Sequence, residues 1–274
     1  MQKNLTIFIL PLCMAFSCQS QAVSNVSPDS DTIVPPVENP VQAYAQRFEK
    51  AQGASQSKGS VSDGSLIHGR LMPFEGPNFR YFDTTSYLNG RAFVHEKVCR
   101  IVVDAYALLA VKIPERKFCI MECSQEHGGE MFPHKTHQNG TSVDFMMPKL
   151  KDGKPFYELD SLGAEHYWLS FDAQGRYSED PTITIDFETL AQHLLCLDDA
   201  AQKQGYGIDK VIFKMEMKDE LLATPSGKQL LKRGIYITKK LSPLINELHD
   251  EHYHVDFEMK SSSPKGSEIP NKSK

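Results

Sequence analysis

The stretch Gly128–Pro148, GGEMFPHKTHQNGTSVDFMMP, reads as a loop that turns at a glycine and runs into a strand carrying an acid. Val143 to Met147 is the strand, with Asp144 its second residue, and Pro148 stops it. Gly140 lies between His137 and Asp144, and a glycine there lets the chain double back so that both side chains can reach one point. A later segment, Glu251–Phe257 (EHYHVDF), opens a last strand over Tyr253–Met259. In extended chain His252 and His254, two apart, project from one face. Together with His134 and His249 these segments hold five of the ten histidines, so the chemistry is expected where two strands begin.

Outward from these segments the hydrophobic period alternates between helix and strand. Val94, Val98, Ile101, Val102, Ala105, Leu108 and Leu109 recur at helical spacing and stop before Pro114. Phe187, Leu190, Ala191, Leu194, Leu197 and Ala201 repeat the pattern up to Gly205. Lys117–Cys123 and Lys210–Met217 read as further strands, and two shorter helices follow the latter. Lys151–Pro181 is turn-rich and aromatic and fits no single element; Tyr167 and Trp168 within it could stack on substrate, but core packing is the favoured reading. The interleaving predicts an α+β domain with a small central antiparallel sheet flanked by helices.

The ends read differently. Lys3 precedes an uncharged apolar run from Leu5 to Phe16, the pattern of an export signal over residues 1–22 and too short for a stable membrane span. Ser20-Gln21-Ala22 fits ordinary cleavage, while Ala15-Phe16-Ser17-Cys18 is similar to a lipoprotein box and would place a lipid anchor on Cys18. Residues 23–58 are expected to be linker, with weak helical periodicity over Val41–Gln52, and residues 261–274 a disordered tail. The domain is thus expected over residues 59–260. A net charge of −5 offers no basic surplus for nucleic acid. Beyond the signal remain Cys99, Cys119, Cys123 and Cys196, which in an exported protein permit two disulfides in any of three pairings.

Two imidazoles and one carboxylate suit tetrahedral zinc with a fourth position for water, the catalytic rather than the structural pattern. The quoted motifs resemble the LAS metallopeptidases, the group of lysostaphin, the D-Ala-D-Ala peptidases and the sonic hedgehog domain. They are most similar to the penicillin-insensitive murein endopeptidases, whose His-x-x-His-x-x-Gly-x-x-x-Asp is matched at His134, His137, Gly140 and Asp144. The family's His-x-x-His-x-His is matched at His249, His252 and His254, and Gly59–Pro73 resembles its N-terminal Gly-Ser run. The resemblance implies one zinc ion held by His137, Asp144 and His254, with His252 as general base or oxyanion partner and His249 supporting it. It leaves His134 as an added ligand or a residue at the site's edge.

The implied substrate is peptidoglycan, cut at D-Ala to diaminoacyl cross-links outside the cytoplasm. A D,D- or L,D-carboxypeptidase would share the same metal site, and a non-catalytic zinc-containing wall-binding module is the reading from another class. Ser142 departs from the family, where an Asp is usual, and Lys151–Pro181 offers no clear ligands for a second metal.

Overall fold

The computed structural model describes residues 39–50 and 53–260. The expected export segment, Cys18, half of the linker and the 261–274 tail lie outside the described residues. Five strands form the main sheet: β1 (Phe79–Tyr81), β2 (Phe118–Ile120), β3 (Ser142–Met146), β4 (Tyr206–Ile212) and β5 (His252–Met259). Their order is β4-β5-β3-β2-β1. All neighbours are antiparallel except β1 and β2, which run parallel. The sheet is therefore mixed, correcting the expectation of an antiparallel one. The cause is the long helix between β1 and β2, because a parallel neighbour needs a crossover rather than a hairpin.

Part of the expected linker is ordered. Helix α1 (Pro40–Gln46) starts with Asn39 capping Val41 N and Pro40 at its first position. Its Val41, Tyr44 and Ala45 pack against the core, and Gln56–Ser60 forms a hairpin with Asp63–Ile67.

Helices α2 (Glu96–Lys112) and α3 (Phe187–Lys203) follow the two periodic stretches. Asp186 caps α3 by accepting from Thr189 N, and Gly205 at φ 77° follows its end. These helices cover one face of the sheet. Tyr106 of α2 stacks on His193 of α3 at 4.6 Å, and His193 in turn meets Phe145 edge-on at 4.9 Å. His193 Nδ1 also bonds the Tyr253 hydroxyl, which gives that buried polar pair a partner.

Strand period decides what the opposite face carries. On β5, Tyr253, Val255 and Phe257 join the hydrophobic core, so His252, His254 and Asp256 take the other face. On β3, Val143 and Phe145 go to the core and leave Asp144 on the site face. The register sets His254 directly opposite Asp144 and Asp256 opposite Ser142. Directly opposed side chains are near neighbours.

Two other expectations change. The strand expected at Lys210–Met217 begins at Tyr206 and ends at Ile212, because Met215–Met217 turns as a 3₁₀ helix into the following helix. Cys99, Cys119, Cys123 and Cys196 are all free thiols, so neither disulfide is present. Cys119, Cys123 and Cys196 are packed as small apolar groups in the core.

Candidate metal centre

His137 is carried by a loop held at many points. Gln138 N donates to Val61 O, Gly129 N to Gln138 O, Gly140 N to Ser124 Oγ and His95 N to Gly140 O. Gly140 has φ 77°, and a Cβ there would lie 2.8 Å from Leu66 and 2.9 Å from His95 N. The turn read from sequence thus requires glycine. His137 itself sits at φ 70°, a left-handed conformation that costs a non-glycine residue about 1 kcal/mol. Strain of this kind persists only where surrounding bonds over-determine it, and it clusters at functional sites.

The result is a compact set of donors. His137 Nε2 lies 3.1 Å from Asp144 Oδ2, His254 Nδ1 lies 2.8 Å from Asp144 Oδ1, and the two ring nitrogens are 3.1 Å apart. Metal–ligand bonds of about 2.0–2.2 Å in a tetrahedron place donors roughly 3.3 Å apart, so this spacing fits one small ion. All three residues are buried, at 0%, 2% and 2% exposure. Burial lowers the pKa of His137, despite Asp144, and keeps the ring neutral as a ligand must be. Burial would raise Asp144, but His137 and His254 outweigh it and hold the carboxylate ionised. Burial alone would lower His254, but Asp256 and Asp144 outweigh it and push the ring up to about 10.

His134 stands at the edge of this set. Its Nδ1 is 3.6 Å from Asp144 Oδ2, and its Nε2 contacts Glu122 and lies 3.4 Å from the Tyr167 hydroxyl. His134, His137 and Asp144 together form a group able to hold a metal ion.

A second group, His166, Glu251 and His252, lies beside the first and is tied by hydrogen bonds. Glu251 Oε1 accepts from His166 Nδ1 at 2.5 Å and from His252 Nδ1 at 2.8 Å. His249 is buried, with 8% of its surface exposed. Its ring lies 4.7 Å from that of His252, and its Nδ1 donates to Ile245 O. The two rings titrate apart. Burial and His252 push His249 down to about 3, whereas burial of His252 is outweighed by Glu251, which raises it.

The family comparison agrees with these motifs. The sequence profile of the penicillin-insensitive murein endopeptidases matches residues 57–273. The chain belongs to that family. A search of curated proteins finds no match. Membership makes this murein endopeptidase homologue a peptidoglycan hydrolase by family, and its matched span takes in both histidine motifs.

The candidate site also holds residues that sequence reading left out. His166 is fully buried and bonded to Glu251. It arrives on the 3₁₀ helix Gly163–Trp168, in the stretch that fitted no element, and its partner is 85 residues away. No sequence signal announces such a contact. Asp256 is different: it lies two residues beyond His254 on the same strand, so strand period alone places it on the site face. Trp168 overturns its expectation. It is 86% exposed rather than packed in the core, because the helix ends there and Leu169 takes the buried position.

Proposed function

We propose that this chain is an exported zinc peptidase that cuts D-Ala to diaminoacyl cross-links in peptidoglycan. The observation that carries the reading is the triple of donors on His137, Asp144 and His254, each about 3 Å from the others, with a further oriented histidine beside it. A closed structural site would use a fourth protein ligand and would have no role for His252.

His137, Asp144 and His254 would hold the ion. Bound there, zinc supplies a Lewis acid for the amide carbonyl and acidifies a water toward neutral pH. The remaining steps belong to the protein. His252 has its Nδ1 occupied by Glu251, which leaves Nε2 to take and return a proton. His249, held neutral beside it, supports the His252 ring without competing for that proton. The Tyr167 hydroxyl, at the His134 edge, is an uncharged donor for an oxyanion, since burial and nearby carboxylates raise its pKa far above neutrality.

Export rests on the charged start and apolar run of residues 1–22. Among the described residues no helix is long and apolar enough to cross a membrane.

Digestion of purified peptidoglycan by the zinc-loaded protein tests the reading. Cross-linked dimers should fall and monomers rise. Release of terminal D-alanine from monomers alone identifies a carboxypeptidase instead. No product from a fully metallated protein leaves the wall-binding module.

A further inference from the structure

We propose that Asp256 is the positioning residue of the metal centre, fixing His254 in the tautomer that presents Nδ1 to the ion. This rests on the ligand assignment above and adds a residue and a role to it.

Asp256 Oδ1 lies 2.6 Å from His254 Nε2 and 2.6 Å from Ser142 Oγ, and Oδ2 lies 2.8 Å from Lys210 Nζ. The carboxylate is 1% exposed, a depth at which an unpartnered charge would be costly. Three partners from three adjacent strands offset that cost: Ser142 on β3, Lys210 on β4 and His254 on β5 itself. With Ser142 Oγ donating to one oxygen and Lys210 Nζ against the other, the carboxylate is an acceptor, so the hydrogen between it and His254 sits on Nε2. The lone pair of a neutral His254 ring is then on Nδ1, the atom that faces His137 Nε2 and Asp144 Oδ1. His137 has no such arrangement, since its buried Nδ1 has no hydrogen-bond partner among the described residues. Of the two histidine ligands, His254 is the one whose tautomer the protein dictates. Such outer partners typically set metal affinity by ten- to a hundredfold.

The register adds a test that a merely structural acid would fail. Ser142 is the direct cross-strand partner of Asp256, and its side chain already touches the same oxygen. A carboxylate moved to position 142, with serine at 256, keeps the composition and charge of the pair and approaches His254 from the opposite strand.

The experiment measures zinc affinity of the full chain by competition with a chromophoric chelator. It adds nitrogen-15 shifts of the His254 ring in the zinc-loaded protein, to read which ring nitrogen carries the hydrogen and hence the tautomer. Asp256→Ser should raise the zinc Kd by about ten- to a hundredfold and mix the His254 tautomers. Asp256→Asn, nearly identical in shape, should do the same and serves if the serine variant folds poorly. The exchange Ser142→Asp with Asp256→Ser should restore most of both signals. Unchanged affinity and tautomer in both single variants overturn the proposal, as does a loss of affinity with the tautomer intact and no recovery in the exchange. His254→Ala separates the two levels. If it binds zinc normally, the ligand assignment fails and takes this proposal with it. If it loses zinc while the Asp256 variants bind normally, only the role of Asp256 is lost.

Discussion

His252 Nδ1 lies 2.8 Å from Glu251 Oε1, on the residue that precedes it in the chain. Neighbouring strand residues point to opposite faces, so this contact needs Glu251 to sit just before the strand starts at His252. The same oxygen is shared with His166, which stops Glu251 from rotating away. One buried carboxylate thus orients the ring assigned to proton transfer. His252→Ala should keep zinc content and folding while kcat falls by about a hundredfold or more. Loss of zinc in that variant would make His252 a ligand, and full activity would move the base elsewhere.

Glu251→Gln probes the same pair through pH. Burial would raise the Glu251 pKa, but His252 and His166 outweigh it and hold the carboxyl down to about 2, and its charge raises His252 in return. Glutamine removes that charge, so the pKa of His252 should drop. The limb of kcat/KM assigned to deprotonating His252 should then move to lower pH, with zinc content unchanged. A limb that stays in place means that another group titrates.

The ligand set itself is tested by stoichiometry. The expected content is one zinc per chain, and His137→Ala, Asp144→Ala and His254→Ala should each lose most of it, because two donors do not fix the ion. His134→Ala should retain zinc, given its Nδ1 at 3.6 Å from Asp144 Oδ2. Elemental analysis separates these outcomes, and unchanged zinc in all three ligand variants would refute the assignment.

Much of this site was legible because strand period and cross-strand register are sequence properties. His252 and His254 had to share a face, and the glycine at 140 had to turn. The family motifs then linked the two segments. Pairing between distant loops was not legible. His166 reaches Glu251 from a stretch with no regular period, and Arg91 and His134 meet Glu122 across 31 and 12 residues. Between core packing and substrate stacking for Trp168 the sequence favours the core, whereas the chain ends its 3₁₀ helix there and leaves the indole outside.

Exposure of two aromatics beside the site gives a further prediction. Phe132 is 90% exposed and Trp168 86%, although each lies within two residues of a site residue, His134 in one case and Tyr167 in the other. His134 and Tyr167 touch, so the two loops meet at the site's edge. Large exposed apolar groups placed so are suited to hold substrate. Trp168→Ala and Phe132→Ala should raise KM on intact peptidoglycan several-fold and leave zinc content and stability unchanged. Wild-type kinetics in both would remove them from substrate contact.

Glu122 offers a prediction about stability rather than chemistry. Its Oε2 pairs with Arg91 at 2.7 Å and contacts His134, and Ser86 Oγ donates to Oε1. Burial would raise its pKa, but His134 and Arg91 outweigh it and hold the group down to about 2, against 4.5 for the free side chain. A carboxyl depressed on folding stabilises the native state fully above its unfolded pKa, and the contribution fades as pH falls through the folded one. Metal-free wild type should therefore lose stability relative to Glu122→Gln between about pH 5 and pH 2. At neutral pH the glutamine variant should be less stable by on the order of 2 kcal/mol, having lost a charged acceptor for three buried or half-buried partners. Arg91 also donates to Phe132 O, so the same variant should loosen the turn that carries His134. Chemical denaturation of both proteins across that pH range gives the comparison, and coincident curves would show that the ion pair contributes nothing to folding.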